Sequence, residues 1–484
     1  MSQHKFSLSA ASVSALRFLA FLTLIGLVSC SGRQPVVKSP LELPKKFSDG
    51  GEKRLPNKWW HDFNDKNLDQ LIEKALAGNL SLLVIWDRLA QAEAVARREG
   101  AALLPAVDGE FDASASTQSN NRDDLFNGSS SRTTRNNLSL ELIARYELDL
   151  WGRIRSTRDA AALDVKATEE ELQAAAITLT AEVATTWYEL ATQYGQVDLL
   201  KSQLETNADI LELVTLRFRR GQVGAADVLQ QRQLVESRRG EIATAESRAV
   251  VLEHELAILL GLEPRARVAP VTTELPDITP LPQTGLPASL IQLRPDIRRV
   301  FFQILAADRR VAAAVADRFP SLSLVAGVGA SDDSLRSLFD NWFANIAANL
   351  IGPLFDAGAR KAEVERNRAI VSERLRQYGQ AILTALGEVE NALVQERRQR
   401  DLIVSLEKQL ELSELAIDRA RDSYIKGAVD YLRVLDVLLT HQELQRDYLE
   451  ARLQLVVFRI NLCRALGGGW QMSPPKMMMV DGPE

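Results

Sequence analysis

Apolar residues recur at helical spacing over two very long stretches of the chain, and glycines bound each stretch. The second stretch lies between Gly358 and Gly427 and contains 68 residues with no proline. It is rich in Ala, Leu, Glu, Arg and Gln, which are strong helix formers. As a single helix, at about 1.5 Å per residue, it would be about 100 Å long. The pattern therefore predicts a helix far longer than those of ordinary globular domains.

The same pattern occurs 206 residues earlier, where Gly152 and Gly221 take the places of Gly358 and Gly427. The heptad-like apolar stripe repeats at the same offset. Its members are Leu406, Leu410, Ile417, Ala420 and Tyr424 in the second stretch, and Leu200, Leu204, Leu211, Val214 and Phe218 in the first. A single offset shared by the glycines and the stripe indicates an internal duplication.

Before each long helix the period of the apolar positions changes to two. Over residues 138–150 the even positions are apolar, and the odd positions, except Ile143, are polar or charged. Residues 111–117 alternate similarly, and 321–330 with 342–355 form the corresponding pair in the second half. One apolar and one charged face is typical of a transmembrane β-barrel strand. A half-buried strand of a soluble sandwich would show the same alternation.

Four strands per chain cannot close a barrel, because small closed barrels need about eight strands. An open strand edge in lipid would leave backbone amides without hydrogen-bond partners. If these strands enter a membrane, several copies of the chain must therefore share one barrel. The predicted fold class is a mixed α/β membrane protein, in which a long helical coiled-coil barrel continues into a β-barrel shared between protomers.

These patterns divide the chain into segments. We predict a signal peptide at 1–29, an extended tether at 30–57, a first repeat at 58–262, a Pro-rich linker at 263–287, a second repeat at 288–468 and a tail at 469–484. The strand pairs are predicted at 107–150 and 321–355, and the helical hairpins at 153–260 and 359–466. The polar residues 120–137 are predicted to form an exposed loop within the first strand pair.

The N-terminus resembles a bacterial lipoprotein signal. Lys5 and Arg17 precede a short apolar run that ends in the sequence Leu27-Val28-Ser29-Cys30. The run is short for a membrane span and has the layout of a secretory signal. The lipobox predicts cleavage before Cys30 and its modification with acyl chains such as palmitate. An ordinary signal peptide that happens to contain a cysteine is the alternative.

Composition excludes several classes of function. The formal net charge of -6 argues against a nucleic-acid partner. The four histidines are scattered, so neither a metal site nor a cofactor is expected, and no catalytic motif points to an enzyme. The second cysteine is Cys463, and no intrachain disulfide is expected if Cys30 is acylated. Glu388 and Glu390 flank Val389 on a predicted helix, and both are expected to be solvated.

The junctions and turns of the repeats carry a family resemblance. The motifs are the strand-to-helix junctions 146–153 and 352–358, the turns 217–221 with 227–229 and 424–427 with 431–436, and the lipobox at Cys30. They resemble the TolC family of outer-membrane efflux proteins, nearest the lipoprotein channels of tripartite RND drug pumps. The resemblance implies a homotrimer in the outer membrane of a Gram-negative bacterium, with a twelve-stranded barrel above a twelve-helix periplasmic tunnel. It also implies a periplasmic adaptor (membrane fusion protein) and an inner-membrane RND transporter as partners.

The resemblance also implies a gate near the second turn. Leu432 and Asp436 are four residues apart on one face of the return helix, and three copies of the carboxylate would form a ring that attracts cations. Asp227 and Tyr424 are expected to form a hydrogen bond that ties the two hairpins closed. Arg433 stands where some relatives carry a second aspartate, so it is expected to neutralise the ring in part or to pair with Asp436.

The turns themselves are candidate docking sites for the adaptor. Gly221 and Gly427, flanked by Val223 and Val429, are expected to form the tips that the adaptor contacts. Glycine at these positions is also explained by the helix reversal alone, because it permits a positive φ.

The predicted function is passive conduction of drugs or other small molecules through an outer-membrane exit duct. The outer-membrane channel of a type I secretion or metal-export system is a first alternative. A lipid-anchored structural coiled coil without a pore is a second, although such a protein would have no use for matched amphipathic strands in both halves. The sequence does not identify the cargo.

Overall fold

The computed structural model describes residues 41–51, 57–121, 130–266, 268 and 274–467. In chain order this part contains a 3-10 helix (Trp59–Phe63), α1 (Lys66–Gly78), α2 (Leu80–Ala101), β1 (Ala106–Asn121), β2 (Ser130–Leu148), α3 (Arg153–Arg219), α4 (Ala225–Leu259), α5 (Pro287–Leu293), α6 (Pro295–Ala316), β3 (Ser321–Asp332), β4 (Trp342–Ile351), α7 (Ala359–Ile425) and α8 (Tyr431–Leu466). The predicted signal peptide, Cys30, most of the tether and the C-terminal tail lie outside the described residues.

Two helices of equal length dominate the chain. Each of α3 and α7 contains 67 residues, which is about 100 Å at 1.5 Å per residue. Gly152 precedes α3 with a φ of 75° and Gly358 precedes α7 with a φ of 87°. Residues other than glycine rarely adopt this backbone conformation. The glycines therefore provide the sharp change from strand to helix in both halves.

A carboxylate lies just before each long helix at these junctions, and β4, predicted to reach residue 355, already ends at Ile351. Asp149 accepts the backbone N–H groups of Ile154, at 3.0 Å, and Arg155, at 2.8 Å. Asp356 plays the same part in the second half for Gly358, at 3.0 Å, and Arg360, at 3.3 Å. Acceptors at a helix start satisfy N–H groups that have no partner within the helix. The strand predicted to reach residue 150 consequently ends at Leu148.

The four strands form one antiparallel sheet in the order β1-β2-β3-β4. β2 is longer than predicted, because Ser130 already pairs with Asn121. The prediction of a loop over 120–137 is therefore wrong for residues 120, 121 and 130–137, whose backbone continues the ladder although these residues are of polar types. The side chains of residues 133–137 are exposed, and backbone hydrogen bonding does not require apolar side chains.

One face of the sheet is apolar across all four strands. Residues directly opposite each other on paired strands lie on the same face, and the apolar positions of each strand lie opposite those of its neighbour. Its members are Val107, Gly109, Phe111 and Ala113 of β1, the even positions Leu138 to Leu148 of β2, the even positions Leu322 to Ala330 of β3, and Trp342, Ala344, Ile346, Ala348 and Leu350 of β4. The opposite face carries five carboxylates and one guanidinium over the same rows: Asp108, Glu110, Asp112, Glu141, Glu147 and Arg145. Each of the two outer strands, β1 and β4, pairs on one side within the described chain.

The helical core is built around α3, which packs against α1, α2, α4, α6 and α8. Trp59, Trp60 and Trp187 are fully buried in this core. The indole Nε1 of Trp187 donates a hydrogen bond of 2.7 Å to Asp65, the residue that caps the start of α1. In the described part of the chain, no helix combines the length and the apolar character needed to cross a membrane.

Glu388 and Glu390 are half-buried and each has a protein partner, so the prediction that both are simply solvated is only partly right. Arg294 donates to Glu388 Oε2 at 2.7 Å, and the backbone N–H of Ser48 donates to Glu390 Oε1 at 3.0 Å. Residues two apart do point to different faces of a helix, but here both faces of α7 are packed against other parts of the chain. Sequence spacing gives no information on those distant partners.

Candidate functional site at the helix turns

The two helical turns meet in an apolar cluster, which we call the tip cluster. Its buried members are Val214, Val228, Tyr424, Tyr431, Val434 and Leu435. Val223 and Val429, predicted as docking residues, pack partly against this cluster. They therefore help to hold the turns together, and only part of each side chain is available to a partner.

The glycines at the turns have open surroundings. Gly221 has a φ of 69° and Gly427 a φ of 74°. A Cβ atom placed on either residue would meet nothing within 4 Å. Within one chain these glycines are required for their backbone conformation, and the space around them leaves room for a partner.

The structure does not contain the predicted hydrogen bond between Asp227 and Tyr424. Asp227 Oδ2 accepts the backbone N–H of Gly224 at 3.1 Å, as a cap of the α4 start. The Tyr424 side chain is only 4% exposed, and its hydroxyl has no hydrogen-bond partner within the described part of the chain. The local cap takes the carboxylate, because a helix start offers it N–H groups at short range.

Arg217 supplies the contact between the two turns. Its Cζ lies 4.1 Å from the centroid of the Tyr424 ring. Its Nη1 donates to the carbonyl of Tyr424 at 3.1 Å, and its Nη2 to that of Ile425 at 3.2 Å. These carbonyls belong to the last turn of α7, where a cation is favoured by the helix dipole. Arginine in a last helical turn was a visible signal, but its partner on the other hairpin was not.

A second polar contact joins the hairpins beside the tip cluster. The hydroxyl of Tyr431 donates to Gln231 Oε1, and Gln231 Nε2 donates to the backbone carbonyl of Asn207 at 2.7 Å. Burial raises the pKa of Tyr431, and the nearby Asp227 carboxylate raises it further. The hydroxyl therefore stays protonated and remains a donor.

Buried polar side chains continue this contact away from the turns. Gln203 Nε2 donates to the carbonyl of Gln442 at 3.1 Å, and Arg238 Nη2 donates to Gln442 Oε1 at 3.2 Å. Gln203, Gln442 and Arg238 are all buried, and they join α3, α4 and α8. The signal for this set is present in the sequence, because Gln231 and Arg238 interrupt the apolar heptad positions of α4. This set was not among the sites predicted from the sequence.

The three predicted gate residues of the return helix are exposed. Leu432 is 53% exposed. Arg433 Nη1 lies 3.6 Å from Asp436 Oδ2, and the side chains are 64% and 70% exposed. An ion pair this exposed contributes little to stability. The carboxylate of Asp436 therefore remains available to a passing cation or to a neighbouring copy.

No group of His, Cys, Asp or Glu in the described ranges could hold a metal ion. Cys463 is buried, and burial raises the pKa of its thiol to about 12. The Cys463 thiol is consequently inert at neutral pH.

The family model for outer membrane efflux proteins matches residues 71–262 and 286–468. The chain belongs to the outer membrane efflux protein family. The two matched segments each contain two strands and one pair of long helices. The resemblance found in the junctions and turns is thereby confirmed at the level of the family.

Named efflux proteins align with nearly the whole chain. The pyoverdine export outer membrane protein OpmQ of Pseudomonas putida is 30% identical over 472 residues, which cover 95% of this chain and 99% of that protein. The cation efflux system protein CusC of Escherichia coli O6:H1 is 28% identical, with 95% and 100% covered.

A solved structure shows the same fold. The outer-membrane channel OprN superimposes with a TM-score of 0.82 at 27% identity, and the match covers 91% of this chain and all of that one. The mixed helical and sheet fold class is therefore confirmed, whereas the sharing of a barrel between copies stays a prediction.

Proposed function

We propose that this protein is the outer-membrane exit duct of a tripartite efflux pump in a Gram-negative bacterium. As a homotrimer, it passively conducts small molecules that a periplasmic adaptor and an inner-membrane RND-type transporter deliver. The sheet, with one continuous apolar face, one charged face and two open edges, is the observation that carries the proposal. Such a sheet fits a lipid surface on one side and water on the other.

The open edges support a shared barrel. β4 is exposed along its whole length, and exposed long edge strands readily pair with another chain. In lipid each unpaired amide costs several kcal/mol, so β4 of one copy pairs with β1 of the next. Three copies of the four-stranded sheet then give a barrel of the size that the family resemblance implies.

The lining of this barrel favours cations over anions. Over the rows from Leu138 to Leu148 of β2, the charged face offers five carboxylates against the guanidinium of Arg145, which is itself paired with Asp108 at 2.6 Å; one further arginine of this face, Arg135, lies beyond these rows. Rings of carboxylates select for cations in channels. In the trimer, the Asp436 ring at the other end of the duct acts in the same direction.

The tip is proposed as gate and docking site. Leu432 and Asp436 narrow the aperture, Arg433 moderates the charge of the ring, and the exposed turns at Gly221 and Gly427 meet the adaptor. Acylation of Cys30 anchors the chain to the membrane. Two or more acyl chains are sufficient for stable attachment.

The cargo is not assigned. Relatives of nearly equal identity are named for pyoverdine export, cation efflux and solvent efflux. This spread is consistent with a generic duct whose selectivity comes from the inner-membrane partner.

Two adjacent residues of β4 provide a matched test of the barrel. Ala348 lies on the apolar face opposite Leu324, and Ala347 lies on the other face opposite Val325. Arginine on the lipid face of a barrel costs about 2–4 kcal/mol near the midplane. Ala348→Arg should therefore abolish trimers in the outer membrane, as measured by native mass spectrometry and membrane fractionation. Ala347→Arg should leave them intact, and equal loss in both variants would contradict the proposed membrane face.

The cellular role is tested by deleting the gene and measuring growth inhibition by dyes, detergents, antibiotics and metal ions. Increased sensitivity that wild-type protein reverses, and Ala348→Arg does not, is the expected result. Unchanged sensitivity to all four classes would contradict a role in efflux.

A further inference from the structure

Residues 47–51, within the predicted tether, are docked on the second half of the chain. Phe47 is 5% exposed and belongs to a buried apolar cluster that α5, α7 and α8 contribute. The other buried members of this cluster are Leu290, Val389, Ala392, Leu393, Leu462 and Ala465. The neighbouring residues Lys46 and Ser48 are exposed. The buried ring of Phe47 therefore fixes an otherwise exposed segment to the helices.

A carboxylate of α7 binds the residue that follows Phe47. The backbone N–H of Ser48 donates to Glu390 Oε1 at 3.0 Å, and the Ser48 hydroxyl donates to Oε2 of the same carboxylate. Hydrogen bonds to an ionised group are stronger than those between neutral groups, and Glu390 is half-buried. These bonds fix the level along α7 at which the segment is docked.

The same segment is bound to the linker between the two repeats. The backbone N–H of Gly51 donates to the carbonyl of Pro282 at 2.9 Å, and the Thr284 hydroxyl donates to the carbonyl of Asp49 at 3.2 Å. A Cβ atom on Gly51 would lie 1.5 Å from the carbonyl oxygen of Leu281, so this close approach requires glycine. We call residues 47–51, which contact both the helices and the linker, the N-terminal clip.

The position of the clip sets a length requirement on the chain that precedes it. Glu390 comes 31 residues after Ala359, the first residue of α7, which is about 47 Å along the helix at 1.5 Å per residue. In the proposed channel the sheet lies in the membrane, so α7 starts close to the membrane surface. Ser48 comes 18 residues after Cys30, and a chain of that length spans at most about 65 Å. The length is therefore sufficient for an acylated Cys30 to reach the membrane while the clip is closed, with about 18 Å to spare.

We infer that the N-terminal clip and the acylated Cys30 form a length-limited tie, which holds the level of Glu390 within about 65 Å of the membrane surface. This rests on the proposed channel function, of which it specifies the role of the lipid anchor. Because the clip binds the linker as well as the helices, the acyl chains hold the linker and the second hairpin to the membrane, and not only the N-terminus.

Shortening the chain before the clip tests the tie. Deletion of residues 33–40 places Ser48 ten residues after Cys30, and ten residues span at most about 36 Å, which is less than the length required. Deletion of residues 38–40 leaves 15 residues, which span up to about 54 Å and are still sufficient. Hydrogen exchange with mass spectrometry, on otherwise full-length protein in phospholipid vesicles, follows the amides of Ser48 and Gly51. Mass spectrometry of the mature N-terminus establishes whether each variant is acylated.

The eight-residue deletion should raise the exchange rates of the two amides about tenfold, because the clip must open for the acyl chains to stay in the lipid. The three-residue deletion should leave both rates unchanged. Refilling the eight-residue gap with eight Gly and Ser residues should restore protection, since the tie depends on the length of this stretch and not on its sequence. Replacing the lipoprotein signal of the eight-residue deletion by one that is cleaved without acylation should restore it too. Full protection in the acylated eight-residue deletion overturns the tie.

Phe47→Ala tests the clip in a chain of natural length. It should speed exchange at Ser48 and Gly51, whereas Lys46→Ala, at an exposed neighbouring position, should not. Unchanged protection of the α7 amides around Val389 shows that the helix itself stays folded. Unchanged exchange at Ser48 and Gly51 in Phe47→Ala overturns the clip.

The failure of this inference and the failure of the proposed function are distinguishable. An unmodified Cys30 in mature wild-type protein overturns the tie together with the proposed lipid anchor, and leaves the proposed duct standing. Wild-type protein that carries no current through planar bilayers contradicts the duct, while the exchange rates of the two deletions still decide whether the tie exists.

Discussion

The two ends of the second hairpin are held in different ways. Near the linker, Glu396 is fully buried and receives two hydrogen bonds from Arg459, at 2.9 and 2.6 Å. Arg459 also donates to the carbonyl of Thr279 at 2.9 Å, which fastens the linker to α8. At the tip the corresponding charges, Arg433 and Asp436, are mostly exposed. The hairpin is therefore held more firmly at the linker end than at the tip.

The difference would allow one scaffold to combine stability with the proposed gate. A buried ion pair is costly to break, because removing one partner leaves an uncompensated charge. Exposed pairs are screened by salt and contribute little. The same residue types can consequently serve as a permanent joint at one end and as adjustable charges at the other.

The largest expected effect comes from breaking the buried pair. Arg459→Met leaves the buried Glu396 carboxylate with Arg400 alone, whose Nη2 donates to Oε1 at 3.0 Å, and losing the Arg459 side of the pair should cost about 3 kcal/mol of unfolding free energy. Denaturant unfolding of the detergent-solubilised protein measures the change. Arg398→Met is the control, because it removes the arginine of an exposed pair on α7, the helix that carries Glu396. Equal stability of the two variants would contradict the proposed joint.

The turn glycines should show an intermediate effect that separates conformation from docking. Gly221→Ala and Gly221→Trp both force a side chain into a positive φ, at about 1–2 kcal/mol. Only tryptophan adds bulk to the open space around the turn. We expect Gly221→Trp, and likewise Gly427→Trp, to abolish efflux in cells while trimers remain in the membrane, and Gly221→Ala to retain most of it. If the tryptophan variants kept drug resistance, the proposed docking of the adaptor at these turns would be contradicted.

The smallest effect on stability and a clear effect on selectivity are expected at the exposed pair. Asp436→Asn should lower the preference for cations in reversal-potential measurements, and Arg433→Gln should raise it, because the two changes alter the ring charge in opposite directions. Neither should change the unfolding free energy by more than about 0.5 kcal/mol. Opposite shifts in selectivity with unchanged stability would support the difference between the buried pair at the linker end and the exposed pair at the tip. Equal reversal potentials would place the selective ring elsewhere.

Local patterns predicted the framework of the fold well. Proline-free helical periodicity between glycines was sufficient for α3 and α7, since both helices end where a positive φ is required. The alternation of residues 138–150 correctly indicated a two-faced strand, but it did not show that Asp149 would leave the strand to cap α3. The polar residues 130–137 misled the prediction, because strand pairing there depends on the partner β1.

The contacts between hairpins were beyond sequence reasoning. Asp227 could reach either Tyr424 or its own helix start, and only the packed structure shows that it caps α4. Glu388 and Glu390 found partners more than 90 positions away in the chain. The contacts of Arg217 with Tyr424 and Ile425 depend on the position of both turns, which the sequence does not give.

Planar-bilayer recording with purified wild-type protein tests the central claim most directly. Trimers confirmed by native mass spectrometry should insert and carry discrete, cation-preferring current steps. Monomers with four strands should carry none, because an open sheet cannot enclose a pore. Trimers that insert without current, or monomers that conduct, would contradict the account of a duct shared between copies.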